Sequence, residues 1–126
     1  MEKAKIVIVE DDESLVKIIQ EALGDDKYDL TLLLPSAASL KKISEIKPVV
    51  IVLDIMLPGE SGFEFLEDIK NNKSTKDIPV VILSNLGQDE EIRRGLELGA
   101  IDYIVKADFS IYEIVHKITK AIKQKE

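Results

Sequence analysis

The sequence lacks several residue types on which whole classes of protein function depend. It has no cysteine, which excludes disulfide frameworks, thiolate metal sites and cysteine nucleophiles. It has one histidine, which excludes metal sites built from several histidines and argues against a histidine-based catalytic triad. Its longest apolar runs, residues 48–53 and 78–83, have the length of a strand and fall far short of the ~20 residues of a membrane span.

The chain is acidic and has the length of one domain. Lysine and arginine number 17 against 24 aspartates and glutamates, a net charge of −7, which opposes nucleic acid or an anionic membrane as a direct partner. A hydrophobic fraction of 45% excludes a disordered chain. The N-terminal residues show no signal peptide. We therefore expect one soluble, cytoplasmic domain over residues 1–126.

Short apolar runs alternate with helical patterns five times along the chain. The predicted strands are residues 6–9, 28–34, 49–53, 80–83 and 102–105. The predicted helices are residues 15–23, 36–45, 61–72 and 90–98, with a last one that begins at Ser110. Ser61 and Ser110 each precede a glutamate by three residues, the pattern of a capping box. This alternation predicts an α/β fold with an open parallel sheet covered by helices on both faces.

Polar residues follow four of the five predicted strands. Glu10, Asp11 and Asp12 follow the first strand, Asp54 the third, Ser84 the fourth and Lys106 the fifth, whereas the second ends in Leu34 and Pro35. Ligands of open parallel sheets bind beyond the carboxyl ends of the strands. The pattern therefore predicts that carboxylates, a hydroxyl and an ammonium group meet at one edge of the sheet.

This combination of groups suits phosphoryl transfer. Neighbouring carboxylates are hard oxygen ligands that favour Mg²⁺, and a cation among them relieves their mutual repulsion. Lys106 and Ser84 can hold the oxygens of an anion, and Asp54 is the candidate nucleophile that would form an aspartyl phosphate. Each residue alone has an alternative structural role; Asp12, for example, suits the N-cap of the first helix.

Three segments resemble the receiver domain of two-component response regulators, and the resemblance covers the whole chain. They are the acidic segment 7–13, the loop 54–62 with Pro58 and Gly62 at set distances from Asp54, and the closing segment 98–106. The resemblance implies a flavodoxin-like, doubly wound sheet of five parallel strands in the order 2-1-3-4-5, with five helices.

The resemblance also implies a role for each site residue. Asp54 would accept a phosphoryl group from a sensor histidine kinase or a phosphotransfer protein. Asp11 and Asp54 would bind Mg²⁺, with Glu10 acting through water and Met56 through its backbone carbonyl. Ser84 and Lys106 would contact the phosphoryl group, and Tyr103 would change rotamer when Ser84 moves. The surface of the fourth helix, fifth strand and fifth helix would then change and control an unidentified protein partner; dimerisation on phosphorylation is left open.

The sequence departs from the family pattern at several positions around this site. The family usually has proline after the closing lysine, and here Ala107 stands there, so we expect a trans Lys106–Ala107 peptide and a shifted loop. Asn85 is larger than the usual small residue after Ser84. In the family, the positions of Met56 and Leu86 flank the path of the hydrolytic water; both residues are apolar here, which predicts slow loss of the phosphoryl group.

Other functions fit the residues less well. A phosphatase of the haloacid dehalogenase type, or a nuclease of the topoisomerase–primase type, needs a second aspartate where Met56 stands. A flavin-binding protein needs hydroxyl and glycine residues where the acidic segment would repel a phosphate. A receiver that is never phosphorylated would normally have lost its acceptor-site residues, which are intact here. His116, on the last helix, is predicted to be a surface residue.

Overall fold

The computed structural model describes residues 3–24, 26–57 and 61–125. In chain order its elements are β1 (Ala4–Val9), α1 (Glu13–Leu23), β2 (Tyr28–Leu33), α2 (Ala37–Ile46), β3 (Val50–Leu53), α3 (Gly62–Lys70), β4 (Val80–Ser84), α4 (Asp89–Glu97), β5 (Asp102–Val105), a 3-10 helix (Lys106–Asp108) and α5 (Ile111–Lys125).

The five strands form one parallel sheet in the order β2-β1-β3-β4-β5, which confirms the predicted topology. β1 pairs with both β2 and β3, so the chain reverses its direction of winding beside β1. Such a reversal leaves a crevice at the carboxyl ends of the strands, because the connections on its two sides cover opposite faces of the sheet. The fold therefore creates a site at the edge where the polar residues were predicted to meet.

Two apolar layers cover the sheet and hold its strands in place. On one face, α1 and α5 pack Ile19 and Ile118 against alternate strand residues such as Ile8 and Val52. On the other face, α2, α3 and partly buried residues of α4 cover the intervening residues. All four residues of β3 are buried, which fits a central strand covered on both faces.

Several element boundaries differ from the prediction, and one difference concerns the site. Ser84 was placed on the loop after the fourth strand, but it is the last residue of β4, because its backbone pairs with Val105 of β5. The 3-10 helix after β5 was not predicted; it begins at Lys106. The Lys106–Ala107 peptide is trans, as predicted.

The predicted helix caps are only partly confirmed. Asp12 caps α1 by accepting from the Leu15 amide, and Ser110 and Glu113 form the predicted reciprocal capping box. The Ser61 prediction was wrong in detail, since its hydroxyl accepts from the amide of Phe63 rather than from that of Glu64. A cap at either amide satisfies one of the free donors of the first turn.

Within the described residues, no helix combines the length and the apolar character that a bilayer crossing requires.

Candidate phosphoacceptor site

The sheet register places the polar residues of the site side by side. Val9 of β1 pairs with Leu53 of β3, so Glu10 and Asp54 follow directly from paired positions. Ser84 of β4 pairs with Val105 of β5, which places Ser84 beside the residue that precedes Lys106. Strands far apart in sequence thus deliver their polar ends to one edge of the sheet.

Lys106 joins two buried carboxylates. Its Nζ donates to Glu10 Oε2 over 2.8 Å and to Asp54 Oδ2 over 3.0 Å. The side chains of Glu10 and Asp54 are only 4% and 6% exposed, and that of Lys106 is 17% exposed. Buried charges are stable only when they are paired and hydrogen-bonded, so the ammonium group compensates both carboxylates at once.

The ionisation of this cluster reflects its burial. Burial raises the pKa of Glu10 from 4.5 to about 7; the hydrogen bond from Lys106 opposes this shift and the charge of Asp54 adds to it. Burial also lowers the pKa of Lys106, but its hydrogen bonds to Glu10 and Asp54, with their charges, outweigh that effect and raise it. Lys106 therefore stays protonated at neutral pH.

The acidic residues fit a hard divalent cation. Glu10, Asp11 and Asp54 each offer a carboxylate oxygen, and these oxygens lie within 4.8 Å of one another. Oxygen donors with an exposed side open to water are what Mg²⁺ prefers, because it keeps part of its hydration shell. Asp11 is exposed, which leaves the cluster accessible from solvent.

Backbone groups fix the carboxylates in place. The Met56 amide donates to Asp54 Oδ1 over 2.9 Å, while the amides of Asp11 and Asp12 both donate to Glu10 Oε1 over 3.2 Å. The role of the Met56 amide was not predicted from the sequence, which implied a role only for its carbonyl and its apolar side chain. The Met56 side chain is 53% exposed beside Asp54.

Leu86 links Ser84 to Tyr103 through its backbone, a connection that was not predicted from the sequence. Its amide donates to Ser84 Oγ over 3.3 Å, and its carbonyl accepts from the Tyr103 hydroxyl. Ser84 is fully buried and Tyr103 is 9% exposed. No sequence pattern signals such a link, because any residue other than proline at position 86 has the same backbone groups.

Pro58, which the resemblance implies in the loop after Asp54, lies outside the described residues. His116 is exposed, as predicted.

Tyr103 provides a prediction about stability at alkaline pH. Burial, with the charges of Glu91 and Asp54, raises the pKa of Tyr103 from 10.0 to about 12. The unfolded chain therefore loses this proton first, and the stability contributed by the neutral phenol falls as pH rises from 10.0 to about 12. We expect Tyr103→Phe to unfold with a flatter pH dependence than wild type in this window, measured by urea titration; equal slopes would contradict the prediction.

Comparison with known proteins shows which family the chain resembles. The family model described as "Response regulator receiver domain" matches residues 6–119. The chain is 36% identical over 120 residues, 95% of its length, to the phosphate regulon transcriptional regulatory protein PhoB of Escherichia coli. It covers 52% of that protein, so the chain spans about half the length of the curated relatives it matches.

Solved structures show the same fold. The BeF3-activated N-terminal receiver domain of Klebsiella pneumoniae RstA aligns with a TM-score of 0.80 and 30% identity, over 94% of this chain and 97% of that one. The Mn²⁺-bound form of the response regulator Rcp1 aligns with a TM-score of 0.78 and 27% identity, over 93% and 92%. With a sheet of the same topology and a family match over most of its length, the chain belongs to the receiver domains of two-component response regulators.

Proposed function

We propose that this chain is a phosphorylation-switched signalling domain in which Asp54 accepts the phosphoryl group. The observation that carries the proposal is the placement of Asp54: its buried carboxylate lies 3.0 Å from the Lys106 ammonium and within 4.8 Å of oxygens from Glu10 and Asp11. A carboxylate held by fixed charges is suited to nucleophilic attack on phosphorus, where positioning and charge neutralisation do most of the work.

The other residues of the site act on Asp54 or on the transferred group. The Met56 amide holds Asp54 Oδ1, which leaves Oδ2 as the oxygen that Lys106 orients. Ser84 is close to Lys106 in the sheet register, and its hydroxyl can donate to a phosphoryl oxygen while still accepting from Leu86. Glu10, Asp11, Asp54 and the Met56 carbonyl would hold Mg²⁺, which supplies charge neutralisation at the phosphoryl oxygens.

The donor and the reader of the signal are other proteins. Receiver domains take their phosphoryl group from histidine kinases, and we propose such a kinase, or a phosphotransfer protein, as the donor in the cytoplasm. The reader would bind the surface of α4, β5 and α5, on which Leu96, Ile101 and Tyr112 are exposed apolar side chains. That Rcp1 has an Mn²⁺-bound form and that the RstA receiver domain has a BeF3-activated form support a role for a divalent cation and for activation in this chain.

Intact mass measurement after incubation with acetyl phosphate and Mg²⁺ tests the proposal. We expect wild type to gain the mass of one phosphoryl group, and Asp54→Ala to gain none. Asp12→Ala is the matched control, because this exposed neighbour caps α1 without contacting Lys106, and it should gain the same mass as wild type. A mass gain that persists in Asp54→Ala would overturn the assignment of Asp54.

A further inference from the structure

Helix α4 makes few apolar contacts with the rest of the domain. Among its nine residues, all of them described, only Gly95 is buried, and the first turn is acidic at Asp89, Glu90 and Glu91. Ile92 is partly buried against the core, and the Arg94 guanidinium lies 4.4 Å from the centre of the Phe63 ring. A helix with so little apolar surface depends for its position on these few contacts, and that of Gly95 is the most buried of them.

Gly95 lies directly against the ring of Tyr103. A Cβ atom added at Gly95 would be 2.9 Å from Tyr103 Cδ2 and 3.2 Å from Cε2, and 2.5 Å from Ile82 Cδ1. Even alanine thus does not fit while the ring stays where it is, because real Cβ atoms do not approach carbon this closely. The glycine is required by close approach of the helix backbone, since its φ is not in the left-handed region.

The ring of Tyr103 is also attached to the loop that leads into α4. Its hydroxyl donates to the Leu86 carbonyl, and Leu86 is followed by Gly87 and by Gln88, the N-cap of α4. The Leu86 amide in turn donates to Ser84 Oγ at the candidate phosphoacceptor site. One aromatic side chain therefore contacts both the start and the buried face of the same helix.

We propose that Gly95 is the positioning residue through which α4 follows the Tyr103 ring. While the ring is buried, the side-chain-free surface at Gly95 lets α4 lie close against β4 and β5. When the ring leaves this position, α4 loses one of its few contacts with the sheet and moves. The role of this contact in signalling rests on the proposed function, whereas the contact itself can be tested in the unphosphorylated protein.

Tyrosine fluorescence tests the ring position. The chain has no tryptophan and three tyrosines, so Tyr28→Phe with Tyr112→Phe leaves Tyr103 as the single fluorophore. In this background, Gly95→Ala is combined with Ile82→Val, which removes the Cδ1 atom and leaves the ring as the remaining obstacle. We expect quenching by acrylamide to rise several-fold relative to Ile82→Val alone. Quenching that does not change would overturn the proposal.

A glycine at the C-terminal end of the same helix provides the matched control. Gly99 follows the C-cap of α4, and a Cβ added there would meet side-chain atoms of Lys70 at 3.2 Å and 3.3 Å, with no Tyr103 atom among its nearest contacts. Gly99→Ala therefore adds the same methyl group, at a strained φ of 113°, without touching the Tyr103 ring, and we expect it to leave the quenching of Tyr103 near its starting value. An increase equal to that of Gly95→Ala would mean general loosening and would overturn the specific role of Gly95.

A double-mutant cycle on hydrogen exchange separates the contact from helix propensity. Tyr103→Val, which removes the ring and its hydroxyl, should speed exchange of the α4 amides roughly tenfold, within the range that contacting residues show in such cycles. Gly95→Ala with Ile82→Val should speed it similarly, but should have little further effect once Tyr103 is valine. Any direct effect of alanine on helix propensity is present with and without the Tyr103→Val change, so it cancels in the coupling that the cycle measures. Fully additive effects would overturn the proposal.

Phosphorylation links the contact to the signal. With acetyl phosphate and Mg²⁺, wild type should gain phosphoryl mass and change its α4 exchange, whereas Gly95→Ala with Ile82→Val should gain the mass without that change. If wild type gains no mass, the proposed function fails, and the signalling role of Gly95 fails with it. If both gain mass and both change α4 exchange alike, the proposed function stands and the role of Gly95 is overturned.

Discussion

Replacing Lys106 with methionine is expected to destabilise the metal-free protein by about 3 kcal/mol at about pH 8, the lower end of the cost of breaking a buried ion pair. Methionine keeps the length of the side chain but removes the charge that compensates Glu10 and Asp54, which are 4% and 6% exposed. Glu10 can relieve part of the cost by taking up a proton. Urea unfolding in the presence of a chelator measures the effect.

The pH dependence of this loss identifies its cause. The pKa of Glu10 is already raised to about 7, and removing the ammonium group removes an influence that lowers it. The stability contributed by neutral Glu10 is present at low pH and is lost as pH rises through its folded pKa. The stability difference between wild type and Lys106→Met should therefore be largest above about pH 7.

Two further measurements provide controls for Lys106→Met. Adding Glu10→Gln should recover much of the lost stability, because it removes one of the two uncompensated charges. Mg²⁺ should stabilise Lys106→Met more than wild type, since it would replace the missing positive charge. A loss of stability that is the same at about pH 5 and about pH 8 would show that packing rather than charge is responsible.

Phosphorylated wild type is expected to lose its phosphoryl group slowly, and Met56→Asn with Leu86→Glu should accelerate this loss roughly tenfold to a hundredfold. Groups that position or deprotonate water contribute effects of about a hundredfold or more in favourable sites. Met56 is 53% exposed beside Asp54, and Leu86 is half-buried beside Ser84. Neither side chain can orient or deprotonate a water molecule, so we expect the approach of water to the phosphoryl group to lack a polar guide.

Phosphoryl decay is followed by intact mass after removal of acetyl phosphate. The single variants should show smaller accelerations, because each restores only one polar group beside the path of water. Ile101→Glu is a suitable control, since this exposed apolar residue precedes β5 at the opposite end of the strand from Lys106. A double variant that decays no faster than wild type would refute the role of Met56 and Leu86.

Much of the fold followed from local patterns in the sequence. The buried strand β3 was visible as an uninterrupted apolar run, and the predicted range of β5 agrees with the structure. Helix starts at Asp12 and Ser110 were visible from their capping residues. The end of β4 was misplaced by one residue, because Ser84 is polar and only its pairing with Val105 keeps it in the strand.

The candidate site was predicted less completely than the fold. Each of Glu10, Asp54 and Lys106 follows a strand of a parallel sheet, and these positions predict that the three residues meet at one edge. The positions do not predict that Lys106 pairs with both carboxylates, because this pairing depends on the rotamers and burial of Glu10 and Asp54. The Leu86 link was invisible as well, since it uses only backbone atoms.

Order along the chain thus determined which groups this protein can bring together: the alternation of strands and helices sends every strand end to the same edge, whatever the details of packing. Tertiary structure alone decided how those groups are charged and connected. Burial raises the pKa of Glu10, the sheet register places Ser84 within reach of the Leu86 amide, and close packing leaves room only for glycine where α4 meets Tyr103. These properties depend on distances between residues that are remote in sequence, and local sequence patterns do not encode such distances.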